Sequence, residues 1–340
     1  MSDIKIVEVD PFDPDQLDPW HAAYLAAELA AGEGVGSPWQ LEEVRALMQA
    51  TVTKHWVQGY AGVVDGEVVS SGWVRTPLLD NVERAEMVVH TVPAHRRRGY
   101  GTAMLEHLEQ VAAERDRTIL VGEAAWRFDA GPSGSGEPGV EFAGARGFEL
   151  ALGDVKRTLA LPADEAVLEA LAAGAAEKHA GYTLRSFVGP VPDDLLDGWS
   201  RLSAELLTEA PTGALDVEAE STDPVVVREN EEILARQGRT KYNTVALAPD
   251  GELVAFTDIA TTVHEPGRAY QWGTLVRRDA RGHRLGLAVK VANLRLLQSE
   301  APDITVLTTY NAEVNRHMIE VNERLGFTPV ARLGEFQKRF

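Results

Sequence analysis

"VPAHRRRGYGTAML", Val92 to Leu105, sets three arginines and two glycines directly ahead of an apolar, helix-like run. The residues before it, "AEMVVHT" (Ala85–Thr91), read as a strand. A strand running into Arg-x-x-Gly-x-Gly and then a helix is a device for anions. Glycines let the backbone turn tightly, N–H groups converge on one point, and the helix N-terminus adds positive potential. The Gly-x-Gly-x-x-Gly of a dinucleotide fold is not the spacing of this loop, and the Gly-Lys-Ser/Thr of a P-loop is missing.

The same device returns later in the chain. "RRRGYGTA" from Arg96 is echoed by "RGHRLGLA" from Arg281, "DGEVV" (Asp65–Val69) by "DGELV" (Asp250–Val254), and "PDQLDPW" (Pro14–Trp20) by "DDLLDGW" (Asp193–Trp199). Matches in one order at nearly one interval indicate a duplicated domain, not a solenoid. Each copy opens with a short alternating strand ("IKIVEV"; "YTLRSF") and amphipathic helices, then an Asp-Gly hairpin between apolar runs. A fourth strand, the glycine-bearing loop, a helix, a fifth strand ("TILVG"; "ITVLTT") and a last helix ending in "RGF" or "LGF" follow. Each half is therefore expected to be a mixed α/β domain, a mostly antiparallel sheet flanked by helices. The expected division is 1–160, a connecting helix over 161–181, and 182–340. "DAGPSGSGEPG" (Asp129–Gly139) reads as a loop that erodes the last helix of the first copy.

Composition bounds what the loop can serve. Over 340 residues, hydrophobic types make up 44% and charged types 25%, a globular balance with material for a core. There is no cysteine, which removes disulfides, thiol nucleophiles and thiolate metal sites. The nine histidines show no His-x-x-x-His or His-Glu-x-x-His spacing, so no metal is expected. A formal charge of -19 opposes nucleic acid and suits either a cationic small molecule or a plainly solvated surface. No apolar run approaches the ~20 residues of a membrane span. The opening "MSDIKIVEVDPFDPD" carries acids where a signal peptide needs a basic flank. The expectation is a cytoplasmic monomer or homodimer with no membrane partner.

At these motifs the two halves resemble domains of the GNAT superfamily, the acyl-CoA N-acyltransferases. The first does so from "VPAHRRRGYGTAML" through "GARGF" (Gly144–Phe148). The second, "RRDARGHRLGLAVK" (Arg277–Lys290) through "NAEVNRHMIEVNERLGF" (Asn311–Phe327), is similar to the C-terminal half of tandem actinobacterial acetyltransferases, a group that includes mycothiol synthase. The resemblance spans residues 1–160 and 182–340, and implies two tandem GNAT domains with acetyl-CoA as co-substrate and no metal. It assigns the coenzyme pyrophosphate to Arg97, Arg98, Gly99, Tyr100, Gly101 and Thr102. The second copy's counterparts are Gly282, His283, Arg284, Leu285, Gly286 and Leu287. Arg284 stands where the first glycine belongs, so an N–H is expected there if that residue keeps negative φ. The superfamily often carries Asn on the last helix for the pantetheine arm, and Tyr seven residues later as acid to the thiolate. Asn315 matches the Asn, but Asn322 occupies the Tyr position, and Gly136 and Ala143 leave the first copy with neither.

Acetyl transfer to an amine needs a base for the ammonium proton, a backbone N–H for the tetrahedral oxyanion, and a donor to the leaving thiolate. By the resemblance, the N–H comes from the splay of the fourth and fifth strands, around Thr91–Val92 or Leu275–Val276. Glu86 fits the usual fourth-strand base, or else is a solvated hairpin-edge carboxylate. The second copy has no carboxylate there. A base would act through water from His264 or Glu265, or from His283, or all three are surface residues. Tyr310, ending the fifth strand, is either a substitute acid or a buried tyrosine with some other partner. Asn315 sets the expected catalytic centre in the second copy, with Glu86 in the first as its rival; a helix cap is the other reading of Asn315. The function implied is acetyl transfer from acetyl-CoA, by direct attack in a ternary complex, to a primary amine of a small molecule. An amino sugar, a polyamine, a secondary metabolite or a small peptide would serve. The alternatives are a non-catalytic acyl-CoA-binding protein and a mycothiol-synthase-like acetyltransferase, the latter opposed by Asn322.

Overall fold

The computed structural model describes residues 4–340, with twelve strands and ten α-helices among them. The first half runs β1 (Lys5–Glu8), α1 (Pro14–Leu29), α2 (Leu41–Met48), β2 (His55–Val64), β3 (Glu67–Pro77) and β4 (Arg84–Thr91). Then come α3 (Tyr100–Glu114), β5 (Ile119–Arg127), α4 (Pro138–Ala145) and β6 (Glu149–Ala160). The second half runs α5 (Glu165–Ala176), β7 (Thr183–Val188), α6 (Asp193–Ala204), α7 (Leu206–Glu209), α8 (Pro224–Arg236) and β8 (Arg239–Leu247). It ends with β9 (Leu253–Thr262), β10 (Arg268–Val276), α9 (Leu285–Glu300), β11 (Val306–Ala312), α10 (Arg316–Leu325) and β12 (Thr328–Arg339).

The chain divides into two compact units. In the first, strands neighbour one another in the order β1-β2-β3-β4-β5-β12, antiparallel except for β4 with β5. Asp65 and Gly66, at φ 51° and 83°, make the tight β2–β3 turn that Asp-Gly favours. α3 covers one face, with Met104, Leu105, Leu108 and Ala112 packed on Tyr60, Val74, Met87 and Leu120. α1 covers the other. It starts at Pro14 behind an Asp13 cap, and Leu17 and Trp20 pack against Val9, Met48 and Ala61. The Trp20 indole N–H donates to the carbonyls of Tyr60 (2.9 Å) and Gly72 (3.1 Å), which fixes where α1 crosses the sheet. Its repeat counterpart Trp199 anchors α6 on Phe256, ring centroids 4.8 Å apart.

The second unit orders its strands β7-β8-β9-β10-β11-β6, with β10 and β11 parallel. Leu287, Val291, Leu294 and Leu297 of α9 fill its main core with Ile259 and Leu307. Burying each such leucine contributes roughly 1.5–3 kcal/mol. α5 is the connecting helix, capped by Asp164, and it belongs to this unit. No helix among the described residues is long and apolar enough to cross a membrane.

One feature departs from the division read off the sequence. From Val330 the last strand belongs to the first unit, where β12 pairs with β5 from Ala331↔Arg127 to Arg339↔Ile119. Residues 212–216 join the same unit. The Asp216 N–H donates to Gln337 Oε1 at 3.0 Å, and its carboxylate accepts from Gln337 Nε2 at 2.8 Å. The first unit is thus the chain up to Asp154 with 212–216 and 330–340; the second is 155–211 with 217–329. The expected loop after β5 has shortened the last helix of the first copy without abolishing it, since α4 forms from Pro138.

Candidate active site

β4 ends at Thr91, a 3-10 turn follows over Pro93–His95, and α3 starts at Tyr100. Between them Arg97 and Gly99 take φ of 63° and 89°. Left-handed residues so closely spaced turn nearby N–H groups toward one concavity. The Ala103 N–H bonds the Gly99 carbonyl at 3.0 Å, which closes the first turn of α3. Among the described residues, the N–H groups of Arg98, Gly99, Gly101 and Thr102 have no protein acceptor. A Cβ on Gly99 would meet nothing within 4 Å, so this glycine serves the backbone angle and leaves open space before the loop.

The second loop repeats the geometry with its glycine moved. Gly282 and Arg284 take φ of 87° and 55°, in the places of Arg97 and Gly99. The negative φ expected at Arg284 is therefore corrected. The turn demands the left-handed region there, at a cost of roughly 1–2 kcal/mol for a residue with a side chain. Arg281 Nε donates to the Val276 carbonyl at 3.2 Å, as Arg96 Nε does to Thr91 at 3.3 Å. The backbones match. Their surroundings do not.

Arg284 Nη1 donates to the Gly174 carbonyl at 2.9 Å and His283 Nδ1 to the Lys178 carbonyl at 3.0 Å, so the C-terminal end of α5 lies over the second loop. Carbonyls at a helix C-terminus carry partial negative charge and oppose an anion. Arg278 and Arg281 both pair with Glu209, each at 2.7 Å. In the first loop, no carboxylate among the described residues pairs with Arg96, Arg97 or Arg98. Arg98 reaches only the Ala94 carbonyl, at 3.2 Å, and Arg97 is exposed. Both loops are exposed, but among the described residues the first keeps its arginines clear of carboxylates. The second has Arg278 and Arg281 neutralised by Glu209 and its His283 and Arg284 side chains held by the end of α5.

β4 and β5 pair from Arg84↔Ile119 to Glu86↔Val121 and diverge beyond. In an antiparallel ladder alternate residues turn their N–H to the same neighbour. The Val92 N–H bonds the Val69 carbonyl at 3.0 Å, so Val88 and His90 also face β3, while Val89 and Thr91 aim their N–H groups into the gap. Of the expected pair, Thr91 qualifies and Val92 does not. In the second copy the Arg277 N–H bonds Val254 at 2.8 Å. Val276 therefore faces the gap beyond Gln271↔Thr309, and Leu275 is turned toward β9.

On the face of the gap opposite α3, Glu86, Glu123 and Glu335 stand on β4, β5 and β12. Met87, Leu120 and Phe336 of those strands are in the α3 core, which sets the parity. Glu86, the base expected from sequence, is tied to Arg75 at 2.6 Å. Glu123 lies directly opposite Glu335 and has no ion pair among the described residues. Burial first, then the carboxylates of Glu335, Glu86 and Asp154, push Glu123 up to about 8, with Arg75 opposing. Burial and Asp154 push Glu335 up to about 7, with Arg84 opposing. Glu123 nevertheless stays open to solvent. Carboxylates crowded this way hold protons near neutrality, the range where a general base works best. The same wall carries His90, whose Nε2 bonds Glu28 Oε1 at 2.7 Å and whose ring meets Tyr24 edge-on at 5.0 Å.

The second copy does not assemble its expected residues. His264 lies in the β9–β10 turn, at the end of β10 away from the loop, with its backbone N–H on Thr262 Oγ1. Tyr310 is half-buried, its ring 5.9 Å from Lys156 Nζ. Leu285 and Leu287 bury their side chains, so that turn offers only backbone. Asn322 is buried and donates to Asn311 Oδ1. Asn315 Oδ1 accepts from the Met318 N–H at 3.2 Å, which makes it the cap of α10. Asn315→Ala is accordingly expected to lower stability by ~1 kcal/mol, read by thermal melting, and to leave turnover unchanged. A large loss of turnover at unchanged stability would restore the arm contact.

Residues 20–128 match the family model described as "Acetyltransferase (GNAT) family". No curated protein is similar enough in sequence to match. The chain is similar to a tandem GNAT protein from the clavulanic acid biosynthesis pathway, at 26% identity and TM-score 0.80 over 99% of this chain and 98% of that one. A GCN5-related N-acetyltransferase from Sphaerobacter thermophilus shares the fold at 16% identity and TM-score 0.66, over 99% and 95% of the two chains. Saccharomyces cerevisiae N-myristoyltransferase does so at 11% and 0.59, over 99% and 83%. The duplicated sheet with its paired loops, the family match over residues 20–128 and the end-to-end likeness to a tandem protein agree: the chain has a tandem GNAT fold, and its first copy carries the GNAT acetyltransferase domain.

Proposed function

We propose that the chain is an acetyl-CoA-dependent N-acetyltransferase whose chemistry takes place in the first unit, on a primary amine of a small cationic molecule. The observation that carries this is one unit holding both an open arginine-flanked cradle and a carboxylate-lined gap. The free N–H groups of Arg98, Gly99, Gly101 and Thr102 suit a pyrophosphate, with Arg97 and Arg98 beside it. When bound, acetyl-CoA supplies the thioester that the amine attacks. One of the gap-facing N–H groups, that of Val89 or that of Thr91, would polarise the carbonyl oxygen. Glu123, level with Val88 by the register of β4 and β5, takes the proton that frees the amine lone pair. Glu335 and Glu86 attract the ammonium to the gap. One proton leaves through Glu123 to solvent, and another ends on the coenzyme thiol.

The neutralised arginines of the second loop support one coenzyme per chain, in the first copy. The second copy lends the unit its last strand, with Glu335 on it. The likeness to a protein of a biosynthetic pathway supports an acceptor from secondary metabolism. The test is thiol release from acetyl-CoA against diamines, polyamines, amino sugars and short peptides, with products weighed by mass spectrometry. Dicationic amines should turn over fastest, with and without chelator. Coenzyme binding with no thiol release for any amine would favour the non-catalytic binding protein instead.

A further inference from the structure

The first unit has a second cleft, of about 400 Å³, between α3 and the edge strands β1 and β2. Trp56 and Tyr60 of β2 and His107 of α3 line it, and the Tyr60 and His107 rings meet edge-on at 4.6 Å. Glu8 and Glu114, both exposed, stand at its rim. Arg115 lies on Trp56, its guanidinium 3.7 Å from the ring centroid. Among the described residues the Tyr60 hydroxyl has no hydrogen-bond partner and it is not sealed from solvent, so it is free to accept from a ligand. His107 Nε2 is buried and lacks a partner, which is costly to leave so. Burial, then Glu8 and Glu114, push Tyr60 up to about 12, while burial pushes His107 down, so both are neutral at physiological pH. The cleft therefore presents aromatic walls, neutral hydrogen-bonding groups and a net negative rim.

We propose that this cleft is a second ligand site, for a small organic cation with a flat apolar body. The ammonium group lies between Glu8 and Glu114 and donates to the Tyr60 hydroxyl, and the body rests on the Tyr60 and His107 rings. None of these residues belongs to the β4–β5 gap, so the site stands apart from the acyl-transfer reading.

The test follows the side-chain NMR resonance of His107, assigned through its loss in His107→Gln, during titration of the full chain with phenethylammonium. The resonance should move saturably. Glu8→Gln with Glu114→Gln should weaken binding about tenfold, because charge-assisted hydrogen bonds are lost. Both positions are exposed, so the variant should fold normally. Phenethyl alcohol, with the same body and no charge, should bind at least as weakly to the wild-type chain as the cation does to the variant. No movement at millimolar phenethylammonium, or equal affinity for the alcohol or in the double variant, would overturn the proposal.

Discussion

Glu123→Gln is expected to lower kcat by about 100-fold or more at neutral pH, the range that a positioned base contributes. Glu86→Gln should cost far less, because Glu86 is committed to Arg75. The pH dependence follows from the direction of the shift. A base must be ionised, and Glu123 is pushed up to about 8, so wild-type activity should rise with pH through about 8 and lose that dependence in the glutamine variant. Stability runs the other way. The folded carboxyl binds its proton more tightly than the unfolded one, so its contribution is fully present below the ordinary glutamate range and is lost as pH rises through about 8. Glu123→Gln should thus melt higher than wild type at alkaline pH and match it near pH 4. A variant that is equally active, or less stable at alkaline pH, would remove Glu123 from the mechanism.

Gly99→Asp is expected to weaken acetyl-CoA binding by at least about 100-fold, measured by calorimetry, and Gly282→Asp to leave it unchanged. Either aspartate can adopt the left-handed backbone at modest cost. At Gly99, though, it sets a carboxylate in the space before the free N–H groups, where a phosphate would stand. Gly282 holds the place of Arg97; a Cβ there also meets nothing, but that loop's arginines are already paired with Glu209 and its Arg284 is held by the end of α5. Gly99→Asn, with the same shape and no charge, should lose much less. Loss of binding in the Gly282 variant alone would move the coenzyme to the second copy.

The duplication and the strand–loop–helix units were legible because they depend on local pattern: an Asp-Gly between alternating runs makes a hairpin wherever it occurs. The cradle was legible for the same reason. The base was not. Glu86 matched a position, but only the β3–β4 register shows that Arg75 lies directly across from it. Glu123 did leave a signal, as the one acid in the apolar run "TILVGEAAW". Its significance depends on Glu335, and no local pattern announces that β12 returns to pair with β5. The direction of the Val92 N–H is a matter of parity, and it is turned to the Val69 carbonyl. Asn315 fitted two readings equally well, and the Met318 N–H on its Oδ1 supports the cap. The contact of the second loop's His283 and Arg284 with the end of α5 was likewise a tertiary fact, carried by two carbonyl groups that no local pattern marks.

The most direct test of the account is a crystal structure of the chain with coenzyme A bound. The account predicts the pyrophosphate on the N–H groups between Arg98 and Thr102, and the thiol in the gap between Val89 and Glu123. The His283 and Arg284 side chains should still be held by the end of α5. Coenzyme seated instead on the Gly282–Leu287 turn, with α5 displaced and the first loop vacant, would contradict it.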